Sequence, residues 1–588
     1  MRKTFYKFTA ITYIFLFGLI VFAAPAKATT STNFYVDAFY DISSRGKIEA
    51  ELFYESDQAY FYIENSYLDR INRADKLLVE RKIKTLSKEF DENIYPKLTD
   101  LFGDVWNPGI DNDSKITILF SRLMGGVGGY FDPSNEYDSD NVSDSNEREM
   151  IYINTDYILD NRLKSYVAHE FQHLISYNQK EKIHNIADDI WLNELRSEYV
   201  STYLGYDAED YQNSNLKIRV DKFEQYSSDS LTEWRGRIYD YSSINMLGQY
   251  MADHYGKQFF RELIESDKSG IKAVNDALNA IGIEKTFDEV FSDWVVACYI
   301  NNTEKGALYG YTNPLLKNLK INPTATYEIF GNLIIQRAAL MKEWSPFWYE
   351  IEPGQGEIGN IKLNFSGTPA RGNFKIKTIK IDFSNNYVVS DWPLNENNQG
   401  EILISGFGND IQKIIVIPYV SYEGQYQDET LDYNNFTFII EAQNKNQEVL
   451  AANGTTINET QNNATQTAFY SSLSDGDLVR AKGDYKVYII KGEYKRHIES
   501  GEIFGFYEHL NWGIVKEISR YELNLYKESN LIRTDGDKKV YEIDEMGQKH
   551  WLNISGEEFI NSERDWNSVY IINKAERDFY LLGEDVLL

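Results

Sequence analysis

Residues 163–177 read LKSYVAHEFQHLISY, with His169, Glu170 and His173 at the centre. Positions i and i+4 stack on one face of a helix, so two imidazoles at this spacing can turn ring nitrogens towards one ion. Glu170 projects about 100° round the helix from His169, within reach of a water on that ion. Leu163, Tyr166, Val167, Leu174 and Ile175 recur at helical spacing with no Gly or Pro among them, and a helix is predicted. With 7 His in 588 residues, two His four apart with an acid after the first arise by accident in roughly one such chain in eighty.

Downstream, residues 191–200 read WLNELRSEYV. A catalytic zinc takes three protein ligands and keeps a fourth position open; Glu194 is a candidate for the third here. Glu198 follows one turn later and is a candidate to accept the other ring N–H of a ligand His, fixing its tautomer. Trp191, Leu192, Leu195 and Tyr199 make this second helix one that is substantially buried.

An HExxH helix followed by N-E-x-x-S-[DE] resembles the gluzincin metallopeptidases, the thermolysin-like branch of the zincins. The longer phrases HEFQHLISY and WLNELRSEY are most similar to the hyicolysin-type secreted peptidases. There the second phrase usually runs W-L-N-E-G-L-S-E; here Leu195-Arg196 replace Gly-Leu, a change that bears on helix geometry and leaves the ligands alone. Residues 106–113 (WNPGIDND) and 145–150 (SNEREM) share the resemblance, which covers roughly residues 30–320.

The resemblance implies one catalytic Zn2+ held by His169, His173 and Glu194, with Glu170 as general base in peptide-bond hydrolysis. It also implies an oxyanion donor on a later helix. Tyr239 and Tyr241, in RIYDYSS, are the candidates, with His254 an outsider. Residues 125–131, GGVGGYF, suit an edge strand or lip beside the cleft, because glycine lets a peptide backbone approach closely. The acids of 111–113 and 132–149 are oxygen ligands of the kind Ca2+ takes, in a pattern short of an EF-hand.

The rest of the chain frames this core. Arg2, Lys3 and Lys7, an uncharged run from Phe8 to Ala24 and Ala26-Lys27-Ala28 read as a signal peptide over residues 1–28, implying secretion with no integral membrane anchor after cleavage. Its removal takes four of the 60 Lys+Arg and none of the 90 Asp+Glu, leaving a net charge of −34. So acidic a chain is not built to grip nucleic acid. One cysteine, Cys298, excludes a disulfide framework and any multi-Cys metal site.

The predicted architecture is multidomain. An α+β zincin-like catalytic domain (29–320) comes first, then an all-β sandwich (321–443), an Asn/Gln/Thr-rich linker (444–467) and a tandem α+β/β repeat module (468–588). The repeat has a period of 53: Leu478-Val479-Arg480 returns as Leu531-Ile532-Arg533, Val487-Tyr488 as Val540-Tyr541, and Arg496-His497 as Lys549-His550. The expected activity is that of a secreted zinc endopeptidase acting on protein or peptide, with cell-envelope attachment through the repeats. The alternatives are an inert surface-binding protein on a peptidase-like core, and an aminopeptidase.

Overall fold

The computed structural model describes residues 31–330, 334–354, 358–424, 433–444 and most of 473–586. The leader at 1–28 and nearly all of the linker at 444–467 lie outside these residues. Contacts divide the chain into two compact units. One holds the described residues up to Ala187 together with Tyr199–Asn215; the other holds Asp188–Glu198 and everything from Leu216 onwards.

The first unit is built on a six-stranded sheet of β1 (Ser31–Tyr35), β2 (Lys47–Glu55), β3 (Ala59–Glu64), β4 (Ile116–Ser121), β5 (Gly129–Phe131) and β6 (Met150–Asn154). Its order is β1-β2-β3-β4-β6-β5, so the glycine-led β5 is an edge strand, antiparallel to β6. Strands β4 and β6 are buried along their whole length, as parallel strands covered on both faces are. After the short α1 (Asn65–Leu68), α2 (Arg73–Glu89) starts on an Asn72 cap whose side chain accepts from Ala74 and Asp75. A π-helical turn, Phe90–Ile94, joins it to α3 (Tyr95–Phe102). The HExxH segment is α4 (Leu163–Ser176), which packs on β5, β6 and α3. Its Phe171 ring meets Phe90 and Tyr95 at 5.1 and 5.3 Å, and a second π-helical turn, Tyr177–Ile183, extends it.

Next come α5 (Ile190–Tyr203), α6 (Tyr206–Glu209) and α7 (Asn215–Gln225), then α8 (Ile238–Glu265), α9 (Gly270–Ala280) and α10 (Phe287–Ile300). In the second unit, the all-β segment packs a four-stranded sheet against a five-stranded one. Their shared core includes Ile361, Leu363, Trp392, Val416 and Phe438. This sandwich also grips α10. The Trp344 ring lies 4.8 and 5.1 Å from Phe287 and Phe291, and Trp348 donates its indole N–H to the Val295 carbonyl at 3.0 Å. The boundary expected near residue 320 is therefore a packed junction.

The last stretch forms two five-stranded sheets of identical order. In each, an antiparallel meander (Leu478–Ala481, Tyr488–Lys491, Tyr494–His497; then Leu531–Thr534, Tyr541–Ile543, Gln548–Trp551) is flanked by two parallel strands. Gly492 and Gly547 turn the second hairpin of each copy in the left-handed region, at φ 55° and 70°. Each copy has a small core of its own, and a third cluster mixes residues of both, from Leu478 and Ile503 to Ile532 and Tyr580. Among the described residues no helix is long and apolar enough to cross a membrane.

Candidate metal centre

In the first unit, α4 brings His169, Glu170 and His173 together. Their ligand atoms all lie within 4.8 Å of one another, the one such group of three or more among the described residues. The two Nε2 atoms stand 3.2 Å apart with the rings nearly perpendicular, at 78°. Two nitrogens bound at about 2.05 Å to a tetrahedral ion would be roughly 3.3 Å apart, so the spacing fits zinc. Two Nε2–H groups aimed at each other would repel, so the geometry needs either a cation between the rings or one unprotonated Nε2 that accepts from the other.

Glu170 is buried, and β5 runs directly against it. A Cβ added to Gly129 would stand 2.8 Å from Glu170 Cγ, 3.0 Å from its Oε1 and 2.5 Å from the Tyr152 carbonyl. A Cβ on Gly128 would meet the Tyr166 ring at 2.6 Å. The two glycines thus let an edge strand touch the face of α4 that bears the carboxylate.

Glu194 and Glu198 lie one turn apart on α5 and belong to the second unit. Leu195 and Arg196, which replace the more usual Gly-Leu, are accommodated there. Leu195 packs on Gly248 of α8, where an added Cβ would come within 3.3 Å of it. The buried Arg196 pairs with Asp188 at 2.6 Å. Glu198 is held more elaborately than expected. Arg219 of α7 donates to both its oxygens at 2.8 Å, and Asn245 of α8 donates to Oε2 at 3.0 Å.

Tyr239 and Tyr241 fall on different faces of α8. Tyr239 is buried beside Tyr226, its oxygen accepts from Arg237 at 2.6 Å, and burial outweighs that cation to push its pKa up to about 12. Tyr241 is half-buried, with the Arg219 guanidinium 4.9 Å from its ring centre and the Trp234 ring edge-on at 4.8 Å. His254 sits thirteen residues beyond Tyr241, its ring tilted at 55° against Tyr250 and its Nε2 3.0 Å from the Gly310 carbonyl. Arg219 and Asn245 are the two residues that sequence reasoning missed. A lone Arg 21 positions after Glu198, and an Asn 47 after it, carry no local signal.

Several of the acids considered for Ca2+ cap turns or lie buried. Asp111 accepts from the Asp113 N–H, Asp113 accepts from Tyr60 Oη and the Lys115 N–H, and Asp132 caps Ser134. Glu136 and Glu149 are buried, with Lys182 Nζ 3.5 Å from Glu136 Oε2 and 3.4 Å from the Trp106 ring centre. In the repeats, His497 pairs with Glu499 and His550 with Asp544, each at 3.1 Å, as packed and hydrogen-bonded side chains.

No protein-family model matches the chain. The neutral metalloprotease ShpI of Staphylococcus hyicus is 26% identical over 301 residues, 46% of this chain. The match spans 65% of that relative's length. Among solved structures, the ZmpB metallopeptidase of Clostridium perfringens aligns over 59% of this chain and 65% of its own, at 14% identity and a TM-score of 0.23. The pre-peptidase C-terminal domain of a Bacillus anthracis collagenase aligns over 21% of this chain and 98% of its own, at 15% identity and a TM-score of 0.14. Scores this low carry no inference about fold. What the chain shares with a known protein is thus the sequence similarity to a neutral metalloprotease, over somewhat less than half its own length.

Proposed function

We propose that the chain is a secreted, zinc-dependent endopeptidase of the gluzincin type, with His169, His173 and Glu194 as the ligands of one catalytic Zn2+. The observation that carries this reading is the imidazole pair 3.2 Å apart beside the buried Glu170 carboxylate. The similarity to a neutral metalloprotease supports it, and the leader-like residues 1–28 support export.

Bound zinc would supply Lewis acidity, polarising the scissile carbonyl and bringing the pKa of water towards neutrality. Glu170 takes the proton of the attacking water and returns it to the departing amine nitrogen. The edge of β5 offers backbone groups to an extended peptide, whose carbonyl would then lie beside Glu170. Tyr239 and Tyr241 are both candidate oxyanion donors: Tyr239 accepts from Arg237 and so keeps its O–H to donate, and Tyr241, beside the Arg219 guanidinium that binds Glu198, is the less buried of the two. Glu198 orients a ligand imidazole, and the tandem sheets hold the enzyme at an envelope or large substrate.

The test is metal content and peptide cleavage by purified protein. His173→Ala should lose stoichiometric zinc, whereas Glu170→Gln should keep it and lose at least about a hundredfold in turnover. Zinc retained at one per chain in His173→Ala refutes the ligand set. Cleavage only at free amino termini would turn the assignment to an aminopeptidase.

A further inference from the structure

Behind Glu198 runs a buried chain of side-chain amides. Asn245 and Gln249 lie one turn apart on α8, both buried. Asn245 Nδ2 donates to Glu198 Oε2 at 3.0 Å and approaches its backbone carbonyl at 3.5 Å. Gln249 Nε2 reaches Asn245 Oδ1 at 3.5 Å, and Asn313 Nδ2 donates to Gln249 Oε1 at 3.2 Å. Asn313 is anchored in turn. Asp253 accepts its backbone N–H at 3.0 Å and that of Thr312 at 2.6 Å, and Asn313 Oδ1 accepts from Leu315 at 3.0 Å.

Each link has a direction. An ionised carboxylate only accepts, so Asn245 must face Glu198 with its NH2 group. Its carbonyl oxygen is then left towards Gln249, which must answer with its own NH2 and leave its oxygen for Asn313. Two buried amides on α8, backed by the half-buried Asn313, stabilise the fold poorly compared with apolar residues of like volume, because every donor must find an acceptor to offset its burial. Their alignment does one thing that leucines would not: it presents a fixed N–H donor to Glu198 Oε2, the oxygen that also accepts from Arg219 Nε.

We infer that Asn245 is a positioning residue for the proposed zinc centre. Aligned by Gln249 and Asn313, it holds the Glu198 carboxylate at one tilt. The inference rests on the reading of Glu198 as the carboxylate that orients a zinc-bound imidazole.

The experiment uses the full-length zinc enzyme and reads zinc retention against a chelator together with kcat and KM across roughly pH 5.5–8.5, a span that brackets the titration of a raised carboxyl. Asn245→Asp is nearly isosteric but sets a carboxylate against Glu198. Zinc affinity should fall roughly ten- to a hundredfold at about pH 8, the usual scale for groups that orient ligands, with the loss in kcat rather than KM. It should recover as pH falls, because the introduced carboxyl, once protonated, can again donate. Gln249→Glu tests the relay should Asn245→Asp be unstable: with no NH2 to offer, it turns the Asn245 amide round, and a smaller loss in the same direction is expected. Glu198→Ala is the reference. If it leaves zinc affinity unchanged, the underlying reading of Glu198 fails. If it weakens zinc while Asn245→Asp and Gln249→Glu match the parent at every pH, the relay inference alone is overturned. A loss that is the same at every pH also overturns it, since that marks damage to packing and not a missing donor.

Discussion

Gly129→Ala tests the alliance of edge strand and base more sharply than removing Glu170 does. The new Cβ would sit 2.5 Å from the Tyr152 carbonyl and 2.8 Å from Glu170 Cγ, where ordinary contact begins at 3.4 Å. Something must therefore move by about 0.6–0.9 Å, the shortfall in those two contacts. Tyr152 belongs to a sheet strand whose Oη is tied to Asn146 and Tyr35, so the yielding parties are Glu170 and β5 itself. A misplacement near 1 Å at a reacting group costs on the order of a hundredfold, and this smaller shift should cost about ten- to a hundredfold in kcat/KM, or roughly 1.4–2.7 kcal/mol of barrier. Zinc stoichiometry should not change, because neither His169 nor His173 is touched. The assay is cleavage of a fluorogenic peptide at several concentrations beside metal analysis. Gly125→Ala, which meets nothing within 4 Å and has ordinary φ, is the control. A fall in kcat means that the base has shifted; a rise in KM means that the strand has. Parental kcat and KM in Gly129→Ala would refute the claim that β5 and Glu170 form one surface.

Burial holds the Glu136 carboxyl up at about 8 against an ordinary 4.5, even with Lys182 beside it. A carboxyl raised on folding favours the native state while protonated, so its contribution is full below about pH 4.5 and is lost as pH climbs to about 8. Glu136→Gln should therefore unfold at a higher temperature than the parent at about pH 8, with the difference closing by about pH 4. At about 1.36 kcal/mol per unit the ceiling is on the order of 5 kcal/mol. No pH dependence in that difference would show that Glu136 is not held protonated. A chain ending at Gln443 keeps the sandwich that grips α10 and loses only the sheets whose core clusters contain no sandwich residue. It should stay folded and hydrolyse a small soluble peptide at close to the full-length rate. A folded but inactive product would tie the repeats to the active site.

What could be read from the sequence follows how locally each feature is encoded. The helix bearing His169 and His173 was legible because ligand spacing and apolar spacing share one period and nothing interrupts it. Its extension as a π-helical turn over Tyr177–Ile183 was not, since no residue there marks a change of helical pitch. The glycines of GGVGGYF suited an edge strand or a lip alike, and that Gly129 abuts Glu170 depends on two elements 41 residues apart. Tyr239 and Tyr241 looked equivalent in RIYDYSS; two steps along a helix is about 200°, so one side chain went to Arg237 and the other to Arg219. The resemblance named Glu198, yet its Arg219 fork and Asn245 donor arise from α7 and α8 packing on α5, a tertiary event that no window of sequence contains. The packing of the sandwich on α10 is hidden for a related reason. A switch from helices to strands is visible, whereas the burial of Trp344 and Trp348 on α10 is not.

One buried ion pair makes the two C-terminal sheets depend on each other. Arg496, in the first copy, is almost wholly enclosed and bonds Glu576 at 2.7 Å, a residue of the helix Lys574–Phe579 that closes the second copy. Its counterpart by the 53-residue offset, Lys549, donates instead to the carbonyls of Arg577 and Tyr580. The two copies have thus ceased to be interchangeable. Deleting either would strand a cation or its acceptors in an apolar interior, at a cost of roughly 3–5 kcal/mol for an unpaired buried charge. Recombination that shuffles such modules between proteins could lift out the pair intact, but not one member, and a third copy could not be spliced between them without a new partner for Arg496. The two sheets can therefore be gained or lost only together.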